Sequence, residues 1–158
     1  MIILIINFSI FVWNILQMIK INVTSFMLFF CMATNAGGPW KMDLTCPDEK
    51  INLIIDLYDE SIEVPGMEMF GPMNGYLNGN IYGVWYVTGF DIKDDKNVTI
   101  KVANDLGSEN QKISLTQTSD STWTMKFEGQ QVVKRAVGKK LVKIPRELVM
   151  KRNKTSKP

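Results

Sequence analysis

Hydrophobic and polar positions divide the chain into four stretches. Residues 1–36 are apolar almost throughout, with Lys20 as their single charge, and every acidic residue lies at or beyond Asp43. Residues 37–80 read as an irregular segment, and 81–138 alternate apolar and polar in short runs. Residues 139–158 form a basic tail.

The alternating stretch predicts strands. Residues 81–90 are rich in β-branched and aromatic side chains, and 97–103 place Val98, Ile100 and Val102 on one face. Ile113 and Leu115 share a face of 112–118, and Trp123, Met125 and Phe127 share a face of 122–128. A fifth run spans 131–137, and polar turn residues or Gly129 separate the runs. Side chains on a strand alternate between faces, so each run has one apolar side. Such a sheet must pack against another layer or curl on itself. The expected fold class is therefore all-β: an antiparallel up-and-down meander of about five strands, forming a partial calyx-like barrel. In the preceding segment, Pro47, Asp48 and Glu49 are helix-start signals ahead of Ile51, Leu53, Ile54, Ile55 and Leu57. That run is short enough to be either a helix or a strand. Residues 64–80, rich in Gly, Met, Pro and Asn, read as a connection. Pro145 followed by Arg146, Glu147, Leu148, Val149 and Met150 opens a short C-terminal helix.

The N-terminal stretch predicts a hydrophobic helix used for targeting. From Met18 the order is Met18, Ile19 and Lys20 as a basic n-region, 21–33 as an apolar h-region, and Thr34, Asn35 and Ala36 as a cleavage site. Residues 1–36 would then be a signal peptide, leaving a secreted, extracellular chain from Gly37. The alternative is an uncleaved anchor over 1–33, since a bilayer span needs about 20 apolar residues. Only that alternative makes a membrane a partner of this segment. Cys31 lies in the h-region, so secretion leaves Cys46 alone. Sequons at Asn97 and Asn153 fall in the mature stretch and mark a glycoprotein; two more, at Asn7 and Asn22, fall in the targeting stretch.

Charge and chemistry narrow the function. From Lys126 onward there are 11 Lys or Arg and 2 Glu, so the net charge of +2 hides an acidic front and a basic end. The basic tail is either a solvated end or a surface for an extracellular protein or an anionic polymer or lipid. Nucleic acid is excluded as a partner by the secretory reading. The chain has no histidine, which removes the commonest general base and metal ligand. No phosphate loop, dinucleotide fingerprint or metal-ligand spacing is present. The expectation is a protein that is not an enzyme, with no catalytic residues, no cofactors and no metal.

One motif carries a resemblance. Gly83, Val84, Trp85 and Tyr86, followed by Val87 and Thr88, resemble the G-x-W-Y signature that opens the first strand of lipocalins, and more narrowly the salivary, triabin-like lipocalins of blood-feeding arthropods. The resemblance implies that Trp85 plugs the narrow end of a barrel, that Gly83 permits close approach there, and that an Arg from a late strand packs over the Trp. Arg135 is the candidate within the meander. After Trp85 only 73 residues remain, whereas eight strands with their turns need about 120. The family's second motif and disulfides are absent. The resemblance therefore implies a truncated or divergent barrel that binds a small hydrophobic ligand, with Trp85, Val87, Ile100, Leu115, Met125 and Phe127 lining it. The same positions serve a plain core equally well. The alternative is a secreted interaction or inhibitor protein, of salivary or venom type, acting through its surface without a ligand.

Overall fold

The computed structural model describes residues 39–153. The signal peptide or anchor expected over 1–36 lies outside the described residues, as does the chain end from 154 onward.

Period-two alternation extends further toward the N-terminus than expected. Met42, Leu44 and Cys46 alternate with Lys41, Asp43 and Thr45 and form β1 (Lys41–Cys46). Ile51, Leu53 and Ile55 do the same in β2 (Ile51–Asp56), which settles that ambiguous run as a strand. Then come β3 (Gly75–Gly79), β4 (Trp85–Ile92), β5 (Asn97–Asn104), β6 (Asn110–Ser119) and β7 (Thr122–Glu128). They are followed by β8 (Lys134–Val137), β9 (Lys140–Lys143) and β10 (Glu147–Arg152).

Strands β1 to β7 follow one another around a closed barrel, and β10 enters between β7 and β1 as the eighth stave. Every neighbouring pair is antiparallel. β8 and β9 form a separate two-stranded hairpin within the β7–β10 connection. The fold is thus all-β, as expected, but the barrel is complete rather than a five-strand partial calyx. Two misreadings account for the difference. Three staves precede the G-x-W-Y motif, in the stretch 37–80 expected to be irregular. The fifth run, 131–137, is no stave: its only strand, β8, pairs with β9.

The eighth stave comes from residues expected to form a helix. A six-residue helix cannot repay its own nucleation. As a strand, the same residues pair Met150 with Trp123 and Leu148 with Met125 on one side, and Arg152 with Leu44 on the other. Leu148 and Met150 are buried in the interior. Closure leaves the barrel without an open edge.

The inward faces merge into one apolar cluster running from Trp40 and Leu44 through Leu53, Ile100 and Leu115 to Phe127 and Met150. Eight strands enclose a space that side chains can just fill. Close approach between β2 and β3 demands glycine at Gly79, which has φ 108°. A Cβ there would lie 2.2 Å from the Lys50 carbonyl oxygen.

The long β2–β3 connection, residues 57–74, is organised by Asp56. This side chain is only 2% exposed. Its carboxylate accepts hydrogen bonds from the backbone N–H groups of Tyr58 and Asp59 and from the Ser61 hydroxyl, and it pairs with the Lys41 ammonium at 2.8 Å. Burial pushes its pKa up, but the hydrogen bonds from Lys41, Ser61 and Tyr58 outweigh burial and hold it below 3.8.

Two outcomes are expected in urea denaturation. Gly79→Ala shifts the midpoint down by the equivalent of about 2–4 kcal/mol, because backbone must move to admit the methyl group. Asp56→Asn costs about 1–2 kcal/mol at neutral pH. The folded pKa of Asp56 is depressed, so its stabilisation is present above the unfolded value and lost as pH falls through the folded one. The gap between wild type and Asp56→Asn should therefore close as pH drops below about 4. A gap that stays constant would contradict the assignment.

Candidate functional site

Antiparallel alternation gives the barrel two unlike ends. One gathers the starts of β1, β3, β5 and β7, and Trp40 seals it. Trp40 immediately precedes β1 and is fully buried, and its indole N–H donates to the Asp94 carbonyl at 3.2 Å. Asp94 lies in the β4–β5 turn, half-way round the ring from β1. The turn is fixed by the Asp94 carboxylate, which accepts from the Lys96 N–H at 2.7 Å and the Asn97 amide at 3.0 Å. The backbone hydrogen bond from Lys96 is the main cause of its lowered pKa. At this end Arg152 stacks over Trp123, 5.3 Å from the ring centre.

The opposite end carries the short β1–β2, β3–β4 and β5–β6 turns and is covered by the β7–β10 connection, residues 129–146. Val133 and Ile144 reach down into the core from this connection. Buried glutamines tie it in place. Gln111 donates to the Glu128 carbonyl at 2.8 Å and accepts from the Val132 N–H at 2.9 Å, while Gln131 donates to the Ile144 carbonyl at 2.9 Å. Arg146 donates to the carbonyls of Phe127 and Gly129. The Tyr82 N–H donates to the Lys134 carbonyl at 2.7 Å. Arg135 forms an ion pair with Glu49 of the β1–β2 turn.

Beside this cover lies a concavity of about 80 Å³ with an apolar wall of Tyr82, Trp85, Leu106, Val132 and Leu141 and a polar rim of Asn104, Asp105, Glu109 and Lys134. Two larger concavities, lined in part by Thr88, Lys101 and Lys112, lie along β4, β5 and β6.

The six expected lining residues, Trp85, Val87, Ile100, Leu115, Met125 and Phe127, are all buried and all belong to the interior cluster. Of these, only Trp85 also borders the concavity. Gly83 and Trp85 open the fourth strand, not the first. Gly83 has φ 77°, and a Cβ on it would sit 3.3 Å from the Asp105 carboxylate. Trp85 donates its indole N–H to the Tyr82 carbonyl at 3.1 Å. Arg135 takes a different role from the one the resemblance implied, holding Glu49 rather than covering a tryptophan. The sequon Asn97 starts β5 with its amide bonded to Asp94 and its side-chain carbonyl accepting from Thr116. Asn153 is half-buried at the end of the described residues. Cys46 is a free thiol packed in the core, 3% exposed.

Sequence reasoning missed Trp40, Tyr82, Leu106, Val132 and Leu141. A signal for Trp40 was available: Gly38, Pro39 and Trp40 also spell G-x-W, directly ahead of the first strand. Tyr82 and Val132 lie in runs expected to be strands but fall in the loops ahead of β4 and β8, and Leu106 and Leu141 sit in a turn and a hairpin with no alternation to mark them. Among the described residues, no group of three or more Cys, Asp or Glu side chains is placed to hold a metal ion.

The described residues thus define an eight-stranded up-and-down antiparallel barrel, sealed at one end by a tryptophan and covered at the other by a tied-down connection. Comparison with protein-family models, curated proteins and solved structures finds no match to this chain.

Gln111→Leu should leave the Val132 N–H without its side-chain acceptor, at a cost of about 1–3 kcal/mol. Hydrogen exchange should speed up selectively over 129–146. Uniform acceleration over all strands would show instead that Gln111 acts on the whole barrel.

Proposed function

We propose that this chain is a secreted, non-enzymatic, lipocalin-like barrel that binds a small apolar ligand at the covered end. The observation that supports this reading is the inequality of the two ends. Trp40 closes one end with a fully buried ring. The other is closed by a connection held by hydrogen bonds, one ion pair and the packing of Val133 and Ile144, next to a concavity with an apolar wall. That concavity is smaller than ordinary ligand pockets of about 300–1,000 Å³. A ligand of useful size therefore displaces Val133 and Ile144, which act as its stand-ins. The ligand would then contact Trp85 first and Phe127 and Leu115 deeper in the barrel. The cleavage site at Ala36 and the sequons Asn97 and Asn153 support export and glycosylation.

A second reading is a secreted interaction protein that works through its outer surface. The interior favours it, because the buried side chains form one continuous apolar cluster.

Titration with cis-parinaric acid, a fluorescent fatty acid, separates the two. The ligand reading predicts saturable one-to-one binding, energy transfer from tryptophan, and tighter binding by Ile144→Ala, which enlarges the space under the cover. Leu141→Asp in the apolar wall should weaken binding by about tenfold or more. No saturable binding by wild type or Ile144→Ala would leave the surface reading. N-terminal sequencing of the exported protein tests the targeting reading: a start at Gly37 supports secretion, and retention of residues 1–36 supports the anchor.

A further inference from the structure

The β8–β9 hairpin combines exposed apolar side chains with lysines and no acidic residue. Lys134 pairs with Lys143, Arg135 with Val142, Ala136 with Leu141 and Val137 with Lys140. The two-residue loop opens with Gly138 at φ 61°, the left-handed conformation that a tight hairpin needs at this position. Val137 is 55% exposed, Leu141 51% and Val142 42%. All four residues of β9 are exposed. Between residues 129 and 146 there are Lys134, Arg135, Lys139, Lys140, Lys143 and Arg146 and no acidic residue. Arg135 is engaged by Glu49 and Arg146 by backbone carbonyls. The four lysines form no ion pair among the described residues.

Lysines on an exposed edge strand can serve simply to block unwanted strand pairing. That role requires no exposed Val137, Leu141 and Val142, which work against it. A sulfated polymer would bind the lysines but gain nothing from the three apolar side chains. An anionic bilayer uses both. It attracts the cations through its surface potential and buries the apolar side chains at the depth where headgroups give way to acyl chains. Register puts Val137 and Val142 on one face of the ribbon and Leu141 on the other, so tip-first insertion brings both faces to the interface, with Lys139 and Lys140 at the tip extending their ammonium groups back to the headgroups. The unpaired backbone of β9 sets the depth, because its N–H and C=O groups must keep water or headgroup partners.

We propose that the β8–β9 hairpin docks the protein on anionic lipid membranes, with Val137, Leu141 and Val142 in the interface and Lys134, Lys139, Lys140 and Lys143 against the headgroups. The inference does not rest on the ligand reading: Lys134 and Leu141 also border the concavity, but Val137, Val142, Lys139, Lys140 and Lys143 do not.

The test is co-sedimentation of the full chain with vesicles of phosphatidylcholine alone and with vesicles in which phosphatidylserine replaces part of the phosphatidylcholine. Residues 1–40 carry only Lys20, so their own affinity is nearly blind to headgroup charge; Lys151, Arg152, Lys154 and Lys157 also respond to it, so the hairpin's share is the part of the preference lost when its own residues are substituted. Each lysine near such a surface is worth a factor of about five. Replacing Lys139, Lys140 and Lys143 together with Gln should therefore cut the preference roughly a hundredfold. Val137→Asp should abolish the hairpin's share while leaving retention on heparin intact. Val137→Trp, a substitution at an exposed position, should show a blue-shifted emission with phosphatidylserine vesicles and none with heparin. The proposal is overturned by equal binding to both vesicle types. It is also overturned by a preference that survives Val137→Asp undiminished, by heparin binding without vesicle binding, or by an unshifted emission from the Val137→Trp variant on vesicles.

Discussion

The barrel depends on one pairing: β10 between β7 and β1. Without it, β1 and β7 would each present an unpaired edge, and Leu148 and Met150 would leave a gap in the wall. Unpaired edges invite association with other chains, and the missing stave would admit water to Leu44, Trp123 and Met125. With β10 in place, every stave has two neighbours and the interior is enclosed. The chain end does this work late, because residues 147–152 reach back to pair with residues 44–45 across almost the whole described sequence. Such long-range closure makes folding slow relative to the local hairpins β4–β5, β5–β6 and β6–β7.

Closure in turn fixes what the ends can do. The start of β1 delivers Trp40 across the barrel to the β4–β5 turn, and the return from β7 to β10 must pass over the other end. The connection is long enough to cover that end and to hold a hairpin outside it. Its underside, Val133 and Ile144, belongs to the core, while its outside carries the exposed lysines and apolar residues. The proposed ligand site and the proposed membrane contact lie on one segment and share Lys134 and Leu141.

The central strands were legible because each one alternates cleanly and is bounded by turn residues. β5, β6 and β7 fall within two residues of their expected positions. β1 alternates equally well over six residues, but its place among Pro, Gly and charged residues disguised it. β3 has only Leu77 as an inward side chain, flanked by Gly75 and Gly79, so its strand character rests on close packing against β2 rather than on its own composition. β10 has helix-compatible residues, and its conformation follows from the open slot between β1 and β7. Burial of Ile100, Leu115, Met125 and Phe127 follows from alternation alone. The mouth was not legible, because Tyr82, Leu106 and Leu141 come together only when three separate loops meet at one end. The cation over tryptophan also required the fold: Arg152 and Trp123 sit on neighbouring strands that no local pattern links.

Native-state hydrogen exchange resolved by residue tests closure most directly. If β10 is the eighth stave, the ladder amides of β10 are as protected as those of β6 and exchange only with global unfolding, while the exposed β9 amides exchange fast. If residues 147–152 instead exchange at the rate of β9 while β6 stays protected, the barrel is open between β7 and β1, and both the sealed interior and the covered mouth fall with it.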